Sequence, residues 1–100
     1  MHRLFLIFLL FPALADADLR VVIIEGLGGE QSYTDRFAEQ VDTVEAASRA
    51  LTDNDNVAVF RSGRFNRDDV RAHFRQLDET MQGDDRLLLY LVGHGSYDDH

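Results

Sequence analysis

Three apolar runs and two stretches of helical periodicity alternate along the chain. The first run, Leu19-Arg20-Val21-Val22-Ile23-Ile24, is rich in β-branched residues and predicts a strand. Gly26-Leu27-Gly28-Gly29 breaks it. Ser32 or Thr34 can cap a following helix, with Asp35 in its first turn. Phe37, Val41, Val44, Ala47 and Leu51 then recur at steps of 4, 3, 3 and 4, which is one helical face. This spacing predicts a helix from about Tyr33 to Leu51. Thr52-Asp53-Asn54-Asp55-Asn56 is a polar turn, and Val57-Ala58-Val59-Phe60 predicts a second, short strand. Ser62-Gly63-Arg64-Phe65 reads as loop. Asn66 is a good N-cap for a second helix, with Asp68 and Asp69 at the positive end of its dipole. Its face is marked by Val70, Phe74, Leu77 and Met81, at steps of 4, 3 and 4, and Gly83 is placed to end it.

The third run is Arg86-Leu87-Leu88-Leu89-Tyr90-Leu91-Val92-Gly93-His94-Gly95-Ser96. Consecutive apolar residues without alternation suit a strand covered on both faces of a sheet. A buried helical segment is the rival reading; the run is short, and the punctuation by Gly93 and Gly95 favours the strand.

The order is βαβαβ, which predicts a three-layer α/β/α fold with an open parallel sheet and right-handed crossovers. The first and third strands are the longest apolar ones and are expected to be adjacent, giving spatial order 2-1-3. One helix then falls on each face. The crevice between the ends of strands one and three is a switch point, where ligands and chemistry collect. Gly26 to Gly29 and His94 are both expected there. This layout leaves strand three at the outer edge, although its composition is that of an interior strand. A long apolar edge is a template for pairing. Either further chain covers it or a second molecule pairs along Leu87 to Val92.

Composition narrows the picture. The 100 residues allow one domain at most. There is no cysteine, hence no disulfide support. The chain has 18 carboxylates against 10 basic side chains, all of them arginine, and so lacks the basic balance that nucleic-acid binding needs. The start does not belong to the fold. Met1-His2-Arg3 is basic, Leu4 to Phe11 is apolar, and Pro12-Ala13-Leu14-Ala15-Asp16-Ala17 offers small residues at cleavage-compatible spacing. This is a signal-peptide pattern over residues 1–15, or 1–17 for cleavage after Ala17. The apolar run is shorter than the roughly 20 residues of a spanning helix. The expectation is an exported protein, periplasmic if bacterial and otherwise secreted, with residues 18–100 as the folded part and no membrane contact after cleavage.

His94 is the leading candidate for chemistry, because an imidazole titrates near neutrality and a strand end is where such a group works. Other chemistries fit the same residues less well. Gly93-His94-Gly95-Ser96 is one residue out of step with the Gly-x-Ser-x-Gly nucleophile elbow. A dinucleotide fingerprint beginning at Gly26 needs glycine where Gln31 stands, and Glu25 and Glu30 would repel phosphate. His94, Asp98, Asp99 and His100 are metal-ligand types, but without diagnostic spacing, and His73 suits the margin of the core. No cofactor is expected.

Leu89-Tyr90-Leu91-Val92-Gly93-His94-Gly95-Ser96 resembles the catalytic-histidine segment of the caspase-like cysteine peptidases, closest to the legumain and gingipain branches. The element order resembles the amino-terminal part of their domain over residues 19 to 97. The resemblance implies peptide-bond hydrolysis by a Cys–His dyad on a peptide or protein substrate. It implies His94 as general acid or base and the Gly95 N–H as an oxyanion donor, with Ser96, Asp98 and Tyr33 lining the substrate cleft. Of the Asn-Tyr-Arg-His run of legumain-like enzymes, only the tyrosine is matched, at Ser32-Tyr33-Thr34-Asp35. The family's cysteine follows a fourth strand and has no counterpart here. The chain alone is therefore expected to be inactive, and a pseudo-peptidase or a peptide-binding module is the alternative.

Overall fold

A computed structural model of the chain describes residues 17–94. The expected signal peptide at 1–15 lies outside them, as do Gly95, Ser96 and Asp98. The elements are β1 (Leu19–Glu25), α1 (Gln31–Leu51), a 3-10 turn (Asn54–Asn56), β2 (Val57–Phe60), α2 (Arg67–Thr80) and β3 (Arg86–Val92). The sheet has order β2-β1-β3, and both pairings are parallel. This is the α/β open sheet expected from the apolar runs.

β1 is the centre of the fold because it is paired on both sides, Ile23 lying between Val59 and Tyr90. Its Val21, Val22 and Ile23 are fully buried. Complete burial of such a side chain stabilises by roughly 1.5–3 kcal/mol each. On one face Val21 and Ile23, with Val57 and Val92, pack against Phe37 and Val41 of α1. The other face carries Ile24 and its partner Phe60, and here Phe60 meets His73 of α2 with ring centroids 5.7 Å apart. Arg20 shares that face, and its Nε is buried without a hydrogen-bond partner among the described residues.

α1 ends at Leu51 as expected but departs from expectation at its start and on its buried face. It begins at Gln31, with Glu30 in the cap position and no side-chain cap bond. The Tyr33 and Thr34 amides both donate to the Glu30 carbonyl, which closes the first turn two residues earlier than periodicity suggests. Thr34 Oγ1 also donates to that carbonyl (3.1 Å) instead of capping, and Asp35 accepts from the Gln31 side chain (2.8 Å) rather than sitting in the first turn. The buried face is Phe37, Val41 and Ser48, with Val44 half-buried, while Leu51 is 70% exposed. A final step of four from Val44 selects Ser48 over Ala47. Its hydroxyl donates to the Val44 carbonyl at 2.7 Å, so the buried polar group is satisfied.

α2 starts as predicted, with Asn66 and Asp69 forming a reciprocal capping box. It ends at Thr80 with Met81 as C-cap, before Gly83. The reason is Asp85, whose Oδ2 accepts the Gln82 amide (2.8 Å) and holds the turn that Gly83 lies in. Its Oδ1 accepts the Asp18 amide (2.8 Å), fastening the start of β1 to the start of β3. β3 is the uncovered strand: Leu87, Leu88, Leu89 and Leu91 are 42%, 44%, 45% and 67% exposed. Among the described residues, no helix is long and apolar enough to cross a membrane.

Candidate functional site

The carboxyl ends of β1 and β3 meet, and the glycine loop after β1 is built into that junction. The Gly26 amide donates to the Val92 carbonyl (2.8 Å), so strand pairing runs on into the loop. The loop then passes hard against the first turn of α1. A Cβ on Gly28 would stand 2.5 Å from the Thr34 amide nitrogen and 2.7 Å from its Cα, a position no larger residue can occupy without displacing backbone. Gly29 follows with φ +83°, the left-handed region that glycine adopts freely. These constraints hold the Gly28 carbonyl beside the histidine that follows β3.

His94 Nε2 lies 2.7 Å from the Gly28 carbonyl oxygen. The Tyr33 ring meets the imidazole edge to face at a centroid distance of 4.5 Å, and the Phe37 ring is tilted against it at 5.0 Å. The Arg36 guanidinium stands over Tyr33, 5.7 Å from the ring centroid. One backbone oxygen and two aromatic rings thus fix the position and tilt of the imidazole.

The hydrogen bond also fixes its protonation pattern. A carbonyl oxygen can only accept, so Nε2 must carry the proton. In the neutral ring, Nδ1 then holds the lone pair. It is the nitrogen that takes up a proton and gives it back, while the Nε2 bond persists in both states. The residue remains exposed, so Nδ1 chemistry is open to a reactant.

Of the residues the sequence singled out, His94 and Tyr33 are brought into contact, and Gly95, Ser96 and Asp98 lie outside the described residues. The metal reading rests mainly on the same segment. Among the described residues no three His, Cys, Asp or Glu side chains converge on a metal position. The Gly26–Gly29 loop serves as the histidine's support. His73 lies against Phe60 and Phe74 at the core margin, where burial first and Arg20 second hold its pKa below 6.5. Sequence reasoning missed two members of the site. Phe37 belongs to the periodic core face of the helix, and its i,i+4 relation to Tyr33 puts both rings on one side of the helix start. The Gly28 carbonyl carried no signal, because a backbone acceptor is not encoded in a side chain.

No family model matches the chain, and neither a curated protein nor a solved structure matches it.

Proposed function

We infer that this chain is the histidine-bearing portion of an exported caspase-like cysteine peptidase, of the legumain and gingipain type. The observation that carries the reading is the held imidazole: His94 follows the third strand of a 2-1-3 parallel sheet with Nε2 committed to the Gly28 carbonyl. An acid–base histidine needs one nitrogen anchored and the other aimed at the reaction, and this arrangement supplies both. In the proposed reaction a thiolate attacks the peptide carbonyl. His94 Nδ1, protonated at that stage, delivers its proton to the leaving amine. The Gly95 amide would donate to the developing oxyanion, and Tyr33, Ser96 and Asp98 would border the substrate.

The thiol must come from outside these 100 residues, which contain no cysteine. Sequencing the gene beyond the codon for His100 tests this. An in-frame apolar strand ending in cysteine supports the reading, and its absence overturns it. In the cysteine-bearing protein, His94→Ala should lower kcat/KM by roughly 10²–10⁴-fold, whereas the present chain should hydrolyse no member of a peptide panel.

A second reading is favoured by β3. Its four exposed leucines border an edge that is unpaired among the described residues, the kind of surface that binds an extended peptide by strand addition. An apolar extended peptide should then shift the β3 amides in an NMR titration, and Leu89→Lys should weaken that response. Unmoved β3 amides at saturating peptide would refute it.

A further inference from the structure

A second concave site lies on the other side of the α1 start, at the carboxyl ends of β1 and β2. It is a groove of ≈ 370 Å³ lined by Glu25, Thr34, Ala38, Arg61, Ser62 and Arg64. Small-molecule sites run from about 300 to 1,000 Å³, and this groove opens at the carboxyl ends of two parallel strands. Thr34 faces this groove while its neighbour Tyr33 packs on His94, so α1 separates the two sites.

The groove has an unusual charge arrangement. Glu25 is 5% exposed, the one acidic side chain buried in the described fold. Its Oε1 accepts the Ser62 amide at 2.9 Å, and among the described residues no hydrogen bond reaches Oε2. The side chain is held in place by the Ser62 amide, while Oε2 is left open to the groove and can accept from a donor that enters it. Arg61 lies near enough for the Glu25 charge to help raise its pKa, but among the described residues it makes no hydrogen bond to Glu25. Its guanidinium is bound to Asp42 and Glu45 on α1, and these bonds, that to Asp42 first, raise its pKa further. Arg64, at the exposed rim, makes no ion pair among the described residues.

We propose that this groove binds a small zwitterion, a ligand carrying both an ammonium group and a carboxylate, as a free amino acid or a short peptide does. The ammonium donates to Glu25 Oε2 at the floor, and the carboxylate meets the Arg64 guanidinium at the rim. Ser62 and Thr34 also line the groove. A simple anion is opposed by Glu25, and a simple cation is opposed by Arg64, the Arg61 charge being already engaged by Asp42 and Glu45. Only a ligand with both charges offsets both walls. This inference stands apart from the peptidase reading, since neither His94 nor the β3 edge takes part.

The test is an NMR titration of the chain with leucine, N-acetyl-leucine, leucinamide, leucyl-leucine and inorganic phosphate. Leucine or leucyl-leucine should shift the Ser62 and Arg64 amides saturably, and the tighter of the two identifies the source. Removing the ammonium in N-acetyl-leucine, or the carboxylate in leucinamide, should each weaken binding about tenfold or more. Glu25→Gln should abolish binding. Arg64→Ala, at an exposed position that the fold does not depend on, should weaken it about tenfold, and His94→Ala should leave it unchanged. No saturable shift with either zwitterion up to about 10 mM, equal binding of N-acetyl-leucine, or equal binding of phosphate would overturn the proposal.

Discussion

Gly28 is the residue on which the histidine site turns. Its missing side chain lets the loop touch α1, and its carbonyl anchors the imidazole. In Gly28→Ala the new methyl meets Thr34 backbone, which cannot swing aside as a side-chain tip would. The loop must retreat and the carbonyl retreats with it. Strain of this kind costs about 1–3 kcal/mol, read as a lower urea midpoint. The more telling change is in the imidazole, whose ¹⁵N shifts should move from a fixed Nε2–H tautomer toward a mixture. A variant that loses stability but keeps the tautomer would show that the loop and the histidine are not coupled as described. Phe37→Leu separates the other support, since it keeps most of the core volume while removing one ring from the imidazole.

Elements were legible where local rules and tertiary packing agree. Asn66 signalled its cap, and the structure gives it the full reciprocal box with Asp69, so Asn66→Ala should cost about 0.5–2 kcal/mol. α1 offers the contrast. Its cap position holds Glu30 and makes no side-chain bond, so Glu30→Ala should change the urea midpoint far less than Asn66→Ala does. The two midpoints measured side by side check the pair. The three strands and their order were readable because unbroken apolar runs have few alternatives in a parallel sheet. The end of α2 was not, because the Asp85 carboxylate, not Gly83, shapes the turn that follows. Neither was the face of α1 near Ser48, where a polar residue satisfied by its own helix outcompetes Ala47 and Leu51 for the buried side. Of the candidate site, the histidine and Tyr33 were visible as residue types in a pattern. Glu25 reads in sequence as a charge flanking the glycine loop, but its parity with Val21 and Ile23 puts it on the inward row of β1.

At the scale of the whole molecule, acid should lower stability over two separate pH ranges. His73 has its folded pKa below 6.5, chiefly through burial. Stability from it is complete above 6.5 and falls as pH drops below that value, because the unfolded chain takes up the proton first. Asp85 has its folded pKa below 3.8 through the Gln82 and Asp18 amides it accepts. Its contribution is present above 3.8 and is lost as pH falls toward the folded value. Urea midpoints across this range should show both declines. His73→Phe should remove the upper one and leave the lower.

The close approach of Tyr33 and Phe37 to His94 has a spectroscopic consequence. Aromatic rings at 4.5 and 5.0 Å generate local magnetic fields at the imidazole carbon-bound protons. Those two resonances should fall away from the positions of a free histidine whenever the cradle is assembled, and return to them when it is not. The chain therefore carries its own reporter. A one-dimensional proton spectrum, without label or substrate, distinguishes a molecule whose histidine is seated from one that is merely folded.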